Sequence, residues 1–411
     1  MESTQAVWYV IISSAVVIIS YLFNELAKKK NISSVIMLII FGFAIGKLAR
    51  IYDMPYEKLL PGIQILGIVG VVMIVLEAAL ELTIYRRKLR MIFRAFAVAT
   101  VLLILCSLSI ALVFYYTVDM TMAKSMLYSV PLSIMSAAII IPSIANCTEE
   151  TREFMTYEAT FSEILGIMYF YLVLDNYDTA SVAYISVNVA QNVIITLISA
   201  FALSYALVFL LQYIRNHGKL FFIVAILTLL YWLGKLFHLS SLIIILFFGL
   251  LLNNHHLFIR GKLKEFVDTD VIDRLMKEFK TLTIETSFVL RTFFFILFGM
   301  SITLDSLNDP WIYLVTLFIL IILYAIRYMN LKVIVKGSVN PLLYIAPRGL
   351  ITVLLYYMIP EEMQSPNFNP GILLLTIIVT SLIMMITLMR MKNPGKGDGE
   401  SRQLDMSDKV K

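Results

Sequence analysis

Apolar residues along the chain are grouped in stretches of about 20, separated by short segments rich in charge, proline or glycine. A helix needs about that length to cross the hydrocarbon core of a bilayer. The pattern predicts spans at roughly 6–27, 33–49, 63–83, 91–117, 122–146, 153–175, 183–214, 219–237, 240–257, 282–303, 310–334, 341–360 and 370–390. We therefore expect an all-α, polytopic membrane protein with about 13 transmembrane helices.

Composition supports this class. The 411 residues are 60% hydrophobic and only 15% charged, whereas a soluble domain is about half apolar and a quarter charged. Two cysteines, Cys106 and Cys147, are too few for a disulfide scaffold. In a membrane protein the net charge of +5 reports orientation first, and we expect no nucleic-acid partner.

The basic residues predict the orientation in the cell membrane. An odd number of spans places the termini on opposite sides. Most of the 33 Lys and Arg residues fall on one side if the C-terminus is cytoplasmic. Because cytoplasmic loops carry the excess of basic residues, we expect the N-terminus outside and the C-terminus in the cytoplasm.

The domain organisation is simple. We expect a single transmembrane domain over residues 1–391 and a disordered cytoplasmic tail over 392–411. Residues 259–281 carry apolar positions at helical spacing among charges, which predicts an amphipathic linker on the cytoplasmic surface. There is no Walker-type phosphate loop, which argues against a primary ATP-driven pump.

Two predicted spans in corresponding positions of the two halves are interrupted by proline or glycine. The breaking residues are Pro131 and Pro142 in span 122–146, and Pro341, Pro347 and Gly349 in span 341–360. The two spans are an odd number of spans apart, which makes the repeat inverted. Such pairs mark midplane binding sites in secondary transporters, so we expect inverted repeats with interrupted crossing helices.

Ionisable residues inside the spans are the main functional candidates, because each is expensive in a bilayer. Glu163 lies near the middle of its span, and Glu158 lies about one and a half turns closer to the cytoplasm. A lone carboxylate at the depth of Glu163 is costly to ionise, so it can exchange a proton for a cation near neutral pH. Arg327 lies at a depth similar to Glu158 and could pair with it or snorkel to the interface, and Arg348 is the alternative partner.

The remaining polar residues give weaker indications of function. Glu77 and Glu81 lie one turn apart, and the roles of Glu77 and of Arg291 stay open. The histidines fall at span ends or in loops, without cysteine or acid at ligand spacing, so we expect no resident metal and no cofactor.

The segment Glu158-Ala159-Thr160-Phe161-Ser162-Glu163 resembles the Glu-Ser-x-x-Asn-Asp pattern of the ion-binding helix in the monovalent cation–proton antiporter superfamily. Arg348-Gly349 is similar to the Arg-Gly motif of that superfamily. The resemblance implies that Glu163 binds the ion and that Glu158 forms a structural ion pair with the Arg327 and Arg348 region. It also implies a homodimer.

The chain departs from the superfamily at the interrupted helix, where Thr-Asp-Pro is replaced by Ile140-Ile141-Pro142. The expected ligands are then Glu163, Ser162, backbone carbonyls near Ile140 and Ile141, and Ser136, which leaves Na⁺ against K⁺ open. Ser162 stands where electrogenic members carry a second acid, and arginine cannot release a proton. We therefore expect electroneutral one-for-one exchange.

The favoured function is a secondary active antiporter that exchanges Na⁺ or K⁺ for H⁺ by alternating access. The alternative is a multispanning membrane enzyme, such as a lipid-linked sugar polymerase or an acyltransferase. Such enzymes usually need a large extramembrane loop with acid–base residues, and the predicted outer loops are short. A cation channel would need a permeation filter, and the sequence shows no recognisable one. The expected partners are therefore the monovalent cation, the proton and the lipid bilayer.

Overall fold

The computed structural model describes residues 14–23, 25–26, 34–51, 60–144, 147–177, 195, 198–210, 219–236, 241–258, 269–301, 308–335 and 339–391. Every regular element in these ranges is helical, which confirms the all-α prediction. The helices are α1 (Ser14–Phe23), α2 (Ser34–Ile51), α3 (Leu60–Glu81), α4 (Leu89–Thr117), α5 (Met122–Ser133), α6 (Ala137–Ser143), α7 (Glu149–Asp175), α8 (Ile198–Leu210), α9 (Lys219–Leu236), α10 (Ser241–Asn253), α11 (His255–Phe258), α12 (Thr269–Ser301), α13 (Pro310–Ile334), α14 (Leu350–Tyr357) and α15 (Gly371–Arg390). Short 3₁₀ turns cover Arg86–Lys88 and Glu361–Met363.

Five stretches of the described chain are long and apolar enough to cross a membrane. They are Leu89–Thr117, Met122–Ile141, Met276–Met300, Pro310–Ile334 and Gly371–Arg390. Shorter apolar helices, including α1 and α8, account for other predicted spans. Much of the span predicted at 183–214 lies outside the described residues, so the count of thirteen stays a prediction.

The predicted linker at 259–281 is only partly described. Its first residues, 259–268, lie outside the described ranges, as does the predicted tail at 392–411. Residues from Thr269 onward belong to α12, a single helix of 33 residues that runs through the boundary expected at 282. No proline or glycine separates the two parts, so nothing in the local sequence ends the helix there.

The helices form two groups, which we call the first and the second bundle. In the first bundle, α12 packs along α2 and α3, and α10 packs against α3 and α9. In the second bundle, α4 packs against α5, α7 and α13, while α13 contacts α15 and α14 contacts α5. Within the first bundle, α2 and α12 touch backbone to backbone. A Cβ on Gly42 would overlap the carbonyl oxygen of Ile296, so only glycine allows this approach.

The second bundle contains the two spans predicted to be interrupted, and their breaks meet, although residues 341–344 of the second span form a turn rather than a half-helix. An extended segment, 134–136, separates α5 from α6, and a second one, 345–349, precedes α14. The amide of Ser136 donates a hydrogen bond to the carbonyl of Pro347 at 2.9 Å. A Cβ on Gly349 would lie 2.6 Å from the Ser136 hydroxyl oxygen, so the crossing requires glycine there.

The break in the first interrupted helix lies between its two prolines rather than at either one. Pro131 is inside the last turn of α5, and α6 continues past Pro142 to Ser143. The amides at 135, 136 and 137 bond to the side chain of Ser162, the carbonyl of Pro347 and the side chain of Glu163. Because backbone amides in a membrane need partners, these tertiary acceptors stabilise the break.

Candidate ion-binding site

One carboxylate and one hydroxyl that are predicted to bind the ion, those of Glu163 and Ser162, reach the broken helix from α7. The Glu163 carboxylate accepts a hydrogen bond from the Ala137 amide at 2.8 Å. One residue earlier, the Ser162 hydroxyl oxygen accepts one from the Met135 amide at 3.0 Å. Both side chains are buried, with 3% exposure each. The carboxylate of Glu163 is therefore held in place by a single backbone donor, and its second oxygen remains available to a proton or a cation.

Glu163 also lines a cavity of about 880 Å³ between the two bundles. Helices α1, α2, α3 and α12 form one wall, and α6 and α7 form the other. The cavity extends from the buried Glu163 to exposed residues, among them Glu285 and Tyr21. Its wall is mainly apolar, with the charged side chains of Glu77, Glu81 and Arg291 added from α3 and α12. The cavity therefore connects the buried carboxylate to exposed residues such as Glu285.

The other predicted ligands have different surroundings. The Ile140 carbonyl accepts the amide of Ile144 at 3.1 Å and so belongs to the end of α6, while Ile141 lines the cavity. The Ser136 hydroxyl is buried at the helix crossing and has no hydrogen-bond partner among the described residues. The expectation that backbone carbonyls near Ile140 and Ile141 are ligands stays a prediction. The backbone groups that face Glu163 and Ser162 are amide donors, because they begin a half-helix.

Glu158 and Arg327 face each other in the core of the second bundle. The Arg327 guanidinium donates through Nη1 to Oε1 of Glu158 at 2.6 Å and through Nη2 to Oε2 at 3.1 Å. The two residues are 0% and 1% exposed. Arg327 also donates to the carbonyls of Leu342 and Leu343, at 2.7 Å and 3.1 Å for the shortest contact to each. This bidentate pair joins α7 and α13 to the turn that leads into the second interrupted helix.

Arg348 does not join that ion pair, and this corrects its assignment to the pair. Its Nε donates to the Leu132 carbonyl at 3.0 Å, and its Nη1 donates to the Ala346 carbonyl at 2.6 Å. The Leu132 carbonyl lies at the end of α5, where the break leaves it without a helical partner. Thr352 similarly donates to the Pro131 carbonyl at 2.9 Å. Arg348 therefore stabilises the broken helix by supplying donors to freed carbonyls.

A second ion pair lies in the cavity. Arg291 Nη2 on α12 donates to Oε1 of Glu77 on α3 at 3.1 Å. The sequence left both roles open. The sequence shows one acid and one base at interior positions of two separate spans, which is compatible with an ion pair. Sequence alone does not show that these two spans are neighbours. Within the described residues, no group of three His, Cys, Asp or Glu side chains is placed to hold a resident metal ion.

Comparisons with known proteins agree with this architecture. A family model described as "Sodium/hydrogen exchanger, transmembrane" matches residues 12–391. Two solved structures of the sodium proton antiporter MjNhaP1 from Methanocaldococcus jannaschii, one at pH 8 and one from a three-dimensional EM map, are similar to this chain. Their TM-scores are 0.72 and 0.67, both at 18% identity.

The match to the structure at pH 8 covers 95% of this chain and 96% of the other, and the match to the EM structure covers 95% of each. At this level of identity the likeness shows the fold. A search of curated protein sequences finds no match. From its match over residues 12–391, the chain belongs to the transmembrane sodium/hydrogen exchanger family, and it is a multi-pass membrane cation/proton antiporter rather than an enzyme.

Proposed function

We propose that the protein exchanges one Na⁺ or K⁺ for one H⁺, and that Glu163 carries both ions in turn. The observation that carries this proposal is the place of Glu163, which is buried at the broken helix yet lines the cavity between the bundles. A carboxylate there is neutralised either by a proton or by a monovalent cation. The cation is substrate, and the proposal includes no resident cofactor.

Ser162 is the second proposed ligand. Its hydroxyl oxygen accepts the Met135 amide and keeps a lone pair that can face a cation beside Glu163. Ile141 lines the cavity, and Ser136 lies at the crossing next to Gly349. Neither side chain carries a charge. Two oxygen ligands leave room for retained water, so the site is compatible with Na⁺ and with K⁺.

Alternating access follows from the division into two bundles. The second bundle carries Glu163 together with the broken helices, and the first bundle supplies the opposite wall of the cavity. The close backbone contact between α2 and α12 favours movement of the first bundle as a unit. We propose that sliding or rocking of one bundle against the other closes the cavity at one end and opens a path at the other.

We also propose that the cavity faces the cytoplasm. With the N-terminus outside, α3 runs inward, so the end that carries Glu81 is cytoplasmic. The basic residues Arg87, Arg90 and Arg94 follow this end directly, which supports the assignment. The protein is then one transmembrane domain of the cell membrane with its C-terminal tail in the cytoplasm. The resemblance to antiporters that are commonly dimers supports a homodimer.

Electroneutral exchange is proposed because the position before Glu163 on the same helix carries no second acid. Ser162 does not ionise, and the buried arginine Arg327 is bound to Glu158. One carboxylate that binds either one proton or one cation moves no net charge in a complete cycle.

The test uses purified protein in liposomes with a pH-sensitive dye inside. Glu163→Gln keeps the shape of the side chain and removes its charge, so we expect cation-driven proton movement to disappear. Glu285→Gln is the matched control, because it removes a carboxylate from the exposed end of the same cavity and should leave exchange intact. A correctly folded Glu163→Gln protein with wild-type turnover would refute the proposed carrier.

A further inference from the structure

Charged side chains inside the cavity are not equivalent. Among the described residues that line the wall formed by the second bundle, Glu163 is the charged one, whereas Glu77 and Arg291 face each other on the first bundle. The Glu77 side chain is 11% exposed and the Arg291 side chain 20%, so this pair is poorly screened by water. Glu81 lies one turn further along α3, and Glu285 lies at the exposed end of the cavity.

Both members of the Glu77–Arg291 pair belong to the first bundle. Helices α3 and α12 pack along each other in the first bundle, and the moving wall that carries Glu163 belongs to the other bundle. A guanidinium does not lose its proton under any condition of the transport cycle. Arg291 therefore presents a permanent positive charge to Glu77 whichever way the cavity faces.

We propose that Arg291 determines the stoichiometry of exchange by holding Glu77 in an ion pair, which makes the Glu77 carboxylate unavailable to a transported proton or cation. This inference rests on the proposed exchange at Glu163 and adds a residue that withholds the Glu77 carboxylate from that exchange. Without Arg291, Glu77 would be a deeply placed carboxylate in the same cavity that has lost its ion-pair partner. Such a group must take up a proton or a cation, because an unpaired charge at that position is costly. A second proton could then travel with each cycle.

The experiment measures whether exchange responds to membrane potential. Liposomes are loaded with a defined sodium concentration and pH, and a thiocyanate gradient sets the potential without adding another alkali cation. The quantity recorded is the sodium gradient at which net proton movement stops. Wild-type protein should give the same balance point at every potential. Arg291→Gln should shift the balance point by up to about tenfold in sodium ratio for about 60 mV, which corresponds to one extra proton per cycle.

The double variant Arg291→Gln with Glu77→Gln is the matched control. It lacks the freed carboxylate, so its balance point should again be independent of potential. An active Arg291→Gln protein whose balance point ignores the potential would overturn the inference, since the pair would then only join α3 to α12. A double variant that still responds to potential would overturn it as well.

A second measurement covers the case in which Arg291→Gln does not fold. Infrared difference spectra between acidic and alkaline buffer report every carboxyl group that takes up a proton. Glu163→Gln should remove a protonated carboxyl band, and Glu77→Gln should leave the spectrum unchanged. Loss of a band in Glu77→Gln would show that Glu77 titrates beside Arg291, against the inference.

The two proposals fail in different ways. Exchange by the wild-type protein that depends on potential refutes electroneutral exchange, whatever the variants do. Wild-type exchange that ignores potential, with an equally insensitive Arg291→Gln, refutes only the role of Arg291.

Discussion

The ion pair between Glu158 and Arg327 should be coupled strongly enough for a double-mutant cycle to detect. The two side chains share a bidentate contact, with distances of 2.6 and 3.1 Å, and neither is more than 1% exposed. Leaving one charge alone in such surroundings costs about 3–5 kcal/mol. Glu158→Ala and Arg327→Ala should therefore both be strongly destabilising. The double variant should be less destabilised than their sum.

The two single variants should not be equal. In Glu158→Ala, the guanidinium of Arg327 keeps its bonds to the carbonyls of Leu342 and Leu343. In Arg327→Ala, the carboxylate loses its counter-charge and both carbonyls lose a donor as well. An unsatisfied buried carbonyl costs about 1–3 kcal/mol. We therefore expect Arg327→Ala to be the more destabilising by about that amount.

Unfolding by SDS in mixed micelles, followed by tryptophan fluorescence, gives the free energies for the cycle. The predicted coupling energy is about 2–3 kcal/mol, toward the upper end for contacting residues. Lys88 and Glu153, whose side chains are 34% and 25% exposed, provide the matched control near the start of the same helix. Their coupling should stay below about 1 kcal/mol. Strict additivity for Glu158 and Arg327 would refute the assignment of a tightly coupled pair.

Two further predictions concern the site and the crossing. Because proton and cation compete for Glu163, the sodium concentration for half-maximal exchange should rise as pH falls. The maximal rate should approach the same value at saturating sodium. An apparent sodium affinity that is independent of pH would contradict a shared carboxylate. Gly349→Ala places a methyl group 2.6 Å from the Ser136 hydroxyl oxygen and should destabilise the protein by about 1–3 kcal/mol in the same SDS titration. Ser136→Gly in the Gly349→Ala background should recover part of that loss, because the contact with Ile139 Cδ1 at 2.7 Å remains. No recovery would show that the contact with Ser136 is not the source of the strain.

The sequence predicts the parts of this structure that depend on composition and depth. Apolar stretches give the helices, and prolines mark the two spans that are interrupted. Glu158 and Arg327 can be placed at a similar depth from the sequence, and the structure brings them together although 169 positions separate them. Their opposite charges and the cost of burying either alone supply the reason.

Other features depend on tertiary contacts that no local pattern contains. The break at 134–136 lies between Pro131 and Pro142 because Ser162, Pro347 and Glu163 supply acceptors for its amides. The partners of Arg348 are backbone carbonyls, which are the same at every position in a sequence. Likewise, the contact between Glu77 and Arg291 requires knowing that α3 and α12 are neighbours.

Four charged residues with Asp, Glu, Lys or Arg side chains are buried in the described chain: Glu158, Glu163, Arg327 and Arg348. All four belong to the second bundle or to the extended segment within it. Two arginines and Glu158 give a net charge of +1, and an ionised Glu163 brings the sum to zero. In the proposed cycle, binding of a proton or of a monovalent cation to Glu163 returns the same value of +1. The two loaded forms of the moving bundle therefore carry the same charge across the membrane in opposite directions. The net charge moved in a complete exchange is zero, so the membrane potential does not drive it. The unloaded form exposes an ionised carboxylate to the apolar path between the bundles, and the cost of moving it there couples the two fluxes.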